Sequence, residues 1–255
     1  MTMKNTYGLL GKSLNHSFSK SFFNEKFQKE QINAIYSNYE LSDLSTLRST
    51  IEKHYLKGIN VTVPYKELVL NYVDELDSIC EMVGSTNTLV PSYVNNKLIS
   101  IKAYNTDTFG FHQSIKPFLK SHHEKALILG TGGAAKATAY VLKTLNIDFN
   151  FISRKIDPHS KNIFHWNDLN EYMVFHHKFI INTTPVGMYP NNDETFSFPY
   201  HALTNKHFVY DLIYNPNQTI FLRKSMENKA FIKNGYDMLI HQAEKAWQIW
   251  NSSNI

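Results

Sequence analysis

With 255 residues, 42% of them hydrophobic and 14% aromatic, the chain can bury one large core or two modest ones. Its 26 Lys and Arg against 22 Asp and Glu leave a formal charge of +4, with no run of five or six cations, which argues against a nucleic-acid-binding stripe. The single cysteine, Cys80, excludes an internal disulfide. No apolar run approaches the ~20 residues of a membrane helix, and "MTMKNTYGLLGKS" lacks the apolar stretch of a secretory signal. A cytoplasmic protein is expected, with neither membrane nor nucleic-acid partners.

The first hundred residues alternate strand and helix. "TYGLLG" (6–11) reads as a strand, and "SKSFFNEKFQKE" (19–30) as an amphipathic helix with Ser19 as its N-cap. "NAIYSNYEL" is a second strand and "LSTLRSTIEKHY" a second helix. "GINVTV" is a third strand. Its alternation puts Asn60 and Thr62 on one face and Val61 and Val63 toward the core. Pro64 ends it, and "KELVLNYVDEL" reads as helical. Cys80, in the helix-like "DELDSICEMVG", reads as a buried or half-buried thiol. "TNTLV" and "KLISIKAY", joined through "PSYVNN", read as a hairpin. The βα alternation predicts an α/β fold with a mainly parallel sheet.

A second unit begins near "EKALILG", a continuous apolar run of the kind found in a sheet covered on both faces. The helix in "GTGGAAKATAYVLKTL" places Ala134, Ala137, Val141, Leu142 and Leu145 on one face. "DFNFISRK", "KFIINTTP" and "HFVYDLIY" are further strands. "MLIHQAEKAWQIW" is a closing helix whose apolar stripe of Leu239, Ala243, Ala246, Trp247 and Trp250 contains Gln242, an amide that needs partners. The adjacent pairs His122–His123 and His176–His177 diverge in direction and lack zinc-site spacing, so they read as surface histidines and no metal is expected.

"LILGTGGAAKA" is a strand, a glycine-rich turn and a helix. Gly130, Gly132 and Ala135 take the three small-residue positions of a dinucleotide-binding turn. Gly130 permits the tight turn, Gly132 lets the backbone approach a pyrophosphate, and the helix N-terminus offers N–H groups to it. Thr131, Gly133 and Ala134 complete this turn. An NAD site would place an acidic residue roughly 20 residues on, to hold the ribose 2′-hydroxyl. "FISRK" supplies Ser153, Arg154 and Lys155 instead, which suit a 2′-phosphate, so NADP is the expected cofactor. The alternative is a pair of solvated charges at a strand end. "NTTP" ends a buried strand, which puts Asn182 and Thr183 near the cofactor by the same strand-end rule.

"NVTVPYK" places Lys66 in a first helical turn, where the helix dipole disfavours a cation. Either this lysine bends into water or it has a task. Asn60 and Thr62 are ligand-facing or water-exposed; Ser17 and Ser19 are ligands or a turn and a cap. Asn87 in "STNT" reads as a turn residue or a ligand, and Asp107 as a helix cap, a ligand, or both.

Nine stretches together resemble the shikimate dehydrogenase family: "GKSLNHSFSKSFFN", "GINVTVPYK", "GSTNTLV", "AYNTDTFG", "ILGTGGAAKA", "ISRK", "INTTPVGM", "DLIYNPNQTIFL" and "NGYDMLIHQA". They run in family order over almost the whole chain. The resemblance implies two α/β domains with a cleft between them. Residues 1–106, completed by a C-terminal helix at 237–255, would hold the substrate, and a Rossmann-type domain at 107–236 would hold NADP. The implied reaction is reversible NADPH-dependent reduction of 3-dehydroshikimate to shikimate, a step toward chorismate and the aromatic amino acids. By motif, Ser17 and Ser19 would bind the substrate carboxylate. Asn60, Thr62, Asn87, Thr106, Tyr214 and Gln242 would line the pocket, and Lys66 and Asp107 would be the catalytic pair. Gly235, in "NGYDMLIHQA", falls on the cofactor side. Three departures stand out: Lys20 where the family usually has Pro, Ala103 where it has Gly, and "GTGGA" for the commoner "GAGGA".

Two other functions remain open at this level. One is a quinate/shikimate dehydrogenase with relaxed cofactor choice, against which Arg154 speaks. The other is a non-catalytic NADP-sensing module, against which the intact Lys66 and Asp107 speak. The enzyme would act as a monomer or homodimer.

Overall fold

The computed structural model describes residues 4–14, 17–156 and 160–252. Asn15 and His16 of the first motif, and 253–255 of the expected C-terminal segment, lie outside the described residues. The chain divides into two compact units, Met1–Thr106 with Ala243–Ile255, and Asp107–Gln242.

The first unit runs β1 (Asn5–Gly11), α1 (Phe18–Lys29), β2 (Ala34–Glu40), α2 (Leu47–His54), β3 (Leu56–Val61), α3 (Tyr65–Leu68), β4 (Glu75–Leu76), α4 (Ser78–Val83), β5 (Thr88–Val94) and β6 (Lys97–Tyr104). Helical spacing turns Phe23 and Phe27 of α1, and Leu47 and Ile51 of α2, into the core. The strands order as β2-β1-β3-β5-β6-β4. β1 pairs in parallel with β2 and β3, while β5 runs antiparallel to both β3 and β6. The carboxyl ends of β1, β3 and β6 therefore meet the amino end of β5 at one edge of the sheet. Asn95 and Asn96 close the β5–β6 hairpin at φ +50° and +63°, a conformation that Asn tolerates.

The second unit contains α5 (Asp107–Ile115), β7 (Lys125–Leu129), α6 (Gly133–Thr144), β8 (Asp148–Ser153), β9 (Ile163–His165), α7 (Glu171–His176), β10 (Phe179–Asn182), β11 (Phe208–Asp211), α8 (Ile220–Glu227) and β12 (Phe231–Lys233). α9 (Tyr236–Ser252) starts here, and the division between the units falls inside it. The sheet order is β12-β11-β10-β7-β8-β9, with every pairing parallel. The order reverses between β7 and β10, the topological switch point where open α/β sheets bind ligands. Residues 126–129 of β7 and 179–182 of β10 are all buried, as their apolar runs require.

The later half of α9 is held in the first unit by Trp250. Its indole is fully buried among Tyr7, Phe23 and Tyr36, and Nε1 donates to the Leu89 carbonyl at 3.1 Å. Gly58 makes room for it: a Cβ there would stand 2.4 Å from the ring.

Several sequence expectations are corrected. Residues 66–76 are not one helix but a single turn (α3), a 3₁₀ turn at Val69–Tyr72 and the short strand β4. The apolar spacing of Val69, Leu70, Val73 and Leu76 mimics a helix, yet these side chains reach one cluster from three kinds of backbone. β3 stops at Val61, so Val63 is 73% exposed rather than in the core. α1 begins at Phe18, with Ser17 and not Ser19 in the cap position. β5 continues through Pro91 to Val94; β3 pairs only with Thr88 and Leu89, so the proline sits where one edge of β5 is open. His123 and His177 are buried, each with hydrogen-bonded ring nitrogens, while His122 and His176 are exposed. Cys80 is fully buried. Among the described residues no helix is long and apolar enough to cross a membrane, and no group of three metal-binding side chains assembles.

Candidate functional site

In the first unit the strand ends gather the polar residues. Asn60, the last but one residue of β3, is 5% exposed, so the water-facing alternative does not hold. Its side chain accepts from the Tyr36 hydroxyl at 2.8 Å and donates to the Asn87 carbonyl and Thr88 Oγ1. Asn87 bridges to Thr106: Nδ2 donates to its Oγ1 at 2.9 Å, and Oδ1 accepts from its backbone N–H at 2.7 Å. Ser19 hydrogen-bonds the Tyr36 phenol, which burial pushes well above its ordinary pKa and keeps neutral. One chain of hydrogen bonds thus runs Ser19–Tyr36–Asn60–Thr88–Asn87–Thr106, from α1 across β2, β3 and β5 to the segment just past β6. Each link contributes about 1 kcal/mol net, but breaking one would strand a buried polar partner at greater cost.

Ser17 departs from this pattern. Its Oγ is buried and has no hydrogen-bond partner among the described residues, and it makes no capping bond. Asn38 Oδ1 is in the same condition, although Asn38 Nδ2 donates to the Leu14 carbonyl. Both residues line a hollow of about 610 Å³ with Leu14, Lys20, Ser21 and Glu40. A hydroxyl beside an ammonium suits a bound carboxylate, and orphaned buried polar atoms call for a ligand or water. Thr62 is half-buried just past β3, its N–H bonded to Leu10 O. Lys66 lies half-buried in α3, and its carbonyl accepts from Thr86 N at 2.8 Å. With a single turn behind it, α3 contributes little dipole.

The second unit holds the remaining candidates. Asp107 is the first residue of α5 rather than its cap, and is 5% exposed. Gln242 is 9% exposed; Nε2 donates to Leu239 O at 3.0 Å. Tyr214 is half-buried in the loop after β11.

The glycine turn lies at the switch point. Gly130 has φ +111°, which only glycine adopts readily, and a Cβ there would come within 2.8 Å of Thr183 Oγ1. Gly132 caps α6 at φ −77°, with open space where its Cβ would be. Nothing in the fold itself demands glycine at 132; the room above it fits a pyrophosphate on the N-terminal turn of Gly133 and Ala134. Thr131 Oγ1 lies 3.4 Å from Ser153 Oγ, which also accepts from Lys155 N at 3.1 Å. Arg154 and Lys155 are exposed at the end of β8. Thr183 bonds the Leu129 carbonyl through both N and Oγ1, closing β10 onto β7. Asn182 is fully buried, its amide engaged by Asp211 and Thr184. Gly235 packs on backbone, where a Cβ would stand 2.0 Å from Leu212 O.

Sequence reasoning missed Tyr36, Asn38, Asp211 and Thr219. The available signal was a carboxylate closing the apolar run "FVYD", because a buried charge needs partners.

A six-stranded parallel sheet with a glycine turn at its switch point in one unit, and polar residues gathered at the strand ends of the other, together define a two-unit nucleotide-dependent α/β enzyme. Comparison with known proteins narrows this. The family model for the shikimate dehydrogenase substrate binding domain matches residues 9–89. The "Shikimate dehydrogenase (NADP(+))" of Caldicellulosiruptor saccharolyticus is 35% identical over 263 residues, covering 97% of this chain and 92% of the relative. The shikimate dehydrogenase structure from Aquifex aeolicus superposes with a TM-score of 0.87 at 28% identity, covering 99% of this chain and 94% of that one. A shikimate dehydrogenase solved in complex with NADP+ gives 0.81 at 27%, covering 98% and 90%. The chain belongs to the shikimate dehydrogenase family.

Proposed function

We propose that this chain catalyses the reversible NADPH-dependent reduction of 3-dehydroshikimate to shikimate, in the cytoplasm, as a monomer or homodimer. The observation that carries the site reading is Ser17 Oγ, buried and unpartnered among the described residues beside Lys20. The cofactor reading rests on the open space at Gly132 and the Ser153–Arg154–Lys155 end of β8.

Residues 1–106 and the later part of α9 form the substrate side, and the unit beginning at Asp107 forms the NADP side. NADPH, when bound, supplies a hydride to the ketone carbon. Ser17 and Ser19 hold the substrate carboxylate away from that carbon. Asn60, Thr62, Asn87, Thr106, Tyr214 and Gln242 shape the pocket. Lys66 gives a proton to the oxygen that becomes the hydroxyl and takes it back in the reverse direction. Asp107 orients the ammonium and that hydroxyl. Gly130 to Ala134 cradle the pyrophosphate, and Ser153, Arg154 and Lys155 bind the 2′-phosphate. Asn182, Thr183 and Gly235 complete the cofactor floor.

The test is loss of absorbance at the NADPH band with 3-dehydroshikimate, and its return with shikimate and NADP+. Quinate and NAD+ are run in parallel. No turnover despite NADPH binding would sink the enzymatic reading, and equal rates with quinate and NAD+ would replace it by the broader dehydrogenase.

A further inference from the structure

Asp211 closes β11 and is fully buried. Three donors converge on its two oxygens. Asn182 Nδ2 and Ile213 N reach Oδ1 at 2.9 and 3.1 Å, and Thr219 Oγ1 reaches Oδ2 at 2.7 Å. Each donor belongs to a different part of the switch-point end. Asn182 turns its own Oδ1 to Thr184 N and Oγ1, which holds Thr183 against Gly130. Ile213 offers its carbonyl to Gly235 N at 3.1 Å. Thr219 accepts from Leu222 N as the cap of α8. An ionised carboxylate accepts from all three with no hydrogen of its own in the way. An amide or a carboxylic acid carries a hydrogen at one of the two oxygen positions, where it competes with the donor already there.

We propose that Asp211 is a positioning residue for the cofactor: its carboxylate ties the loops carrying Asn182–Thr184, Ile213–Tyr214 and Gly235 into one rigid floor. The inference rests on the cofactor reading above. Burial pushes this carboxyl up to about 7, against the pull of its three donors, so its charge is lost just below neutral pH. No charged side chain is among the groups that shift it. The titratable groups that feel it are the Tyr200 and Tyr210 phenols, both pushed up by burial and neutral in this range.

The experiment is fluorescence titration of NADPH on the whole chain at pH 8, 7 and 6, with chemical melts alongside. Asp211→Asn should weaken NADPH about tenfold or more at pH 8. The ratio of variant to wild-type Kd should shrink toward one by pH 6, where wild type has itself lost the charge; the titrating 2′-phosphate cancels in this ratio. His207→Ala removes a buried side chain at the opposite end of the same strand, whose ring bonds Val174 O. It should lose stability yet keep the wild-type Kd within about twofold. Should Asp211→Asn fail to fold, Thr219→Val removes one donor, and at least about threefold weakening at pH 8 is expected. A Kd within about twofold of wild type for the folded variant, a ratio that does not change with pH, or equal weakening by His207→Ala overturns the proposal. Wild type that does not bind NADPH at all overturns the cofactor reading, and this proposal with it.

Discussion

Gly130→Ala separates what the fold needs from what the cofactor needs. At φ +111° an alanine is strained by about 1–3 kcal/mol. Its Cβ would also stand 2.8 Å from Thr183 Oγ1, the atom that donates to Leu129 O at 2.7 Å. Displacing that hydroxyl loses a hydrogen bond worth about 0.5–1.5 kcal/mol. The sum is about 1.5–4.5 kcal/mol, or roughly 3–18 °C in melting temperature at about 2–4 °C per kcal/mol. NADPH affinity should fall as well, because the strand end moves. Gly132→Ala is the contrast. Its φ of −77° suits alanine and the Cβ enters open space, so stability should stay within about 0.5 kcal/mol. NADPH should nevertheless weaken at least about tenfold, because the methyl occupies the pyrophosphate's place. Calorimetry and fluorescence titration of both variants decide. If Gly130→Ala melts within about 1 °C of wild type, or Gly132→Ala melts as low as Gly130→Ala, the reasoning is wrong.

Arg154→Ala should weaken NADP by roughly 10- to 100-fold and leave NAD nearly unchanged, because one charge-assisted bond to the 2′-phosphate is lost; equal losses for both cofactors would refute the assignment. Ser17→Ala should raise the Michaelis constant more than it lowers turnover, since a carboxylate contact far from the ketone is uniform binding; an amidated substrate analogue should lose most of its difference between wild type and variant. Lys66→Ala should lower turnover by about 10²–10⁴-fold at saturating substrate, with circular dichroism and NADPH binding unchanged; a rate within about twofold of wild type would mean a lysine that merely reaches water. His123 Nδ1 accepts from Lys120 N, and burial lowers its pKa to about 4, so the folded state binds fewer protons than the unfolded between pH 4 and 6.5. Stability from this group is therefore present above about pH 6.5 and lost as pH falls toward 4, and His123→Gln should flatten that part of the melting profile. Asp211 is shifted upward and runs the other way, losing stability as pH rises from about 4 to 7, so an unchanged slope in His123→Gln would count against the histidine.

Local chemistry was enough to read the strand, glycine turn and helix at 125–144. Gly130 needs a positive φ, β7 is apolar on both faces, and α6 starts where the glycines end, all within a dozen residues. The hairpin at Asn95–Asn96 was legible for the same reason, since both residues sit at positive φ. The family motifs named the candidate site, but not how its side chains are used. Asn60 reads as a coin toss between water and ligand until Tyr36 and Thr88, from two other strands, are packed against it. The run 66–76 has helical spacing, yet tertiary packing breaks it into a turn, a 3₁₀ turn and a strand, because a core accepts apolar side chains from any backbone that delivers them. Two histidines that look superficial are buried because partners more than twenty residues away cover them, as Asn150 does His177. Asp211 is the clearest case. Its sequence context says only that a carboxylate follows an apolar strand, while its role depends on Asn182, 29 residues earlier, and Thr219, 8 residues later. Short-range conformational preference is written in neighbouring residues. Hydrogen-bond satisfaction in a dry interior is decided by whichever strand ends the fold brings together.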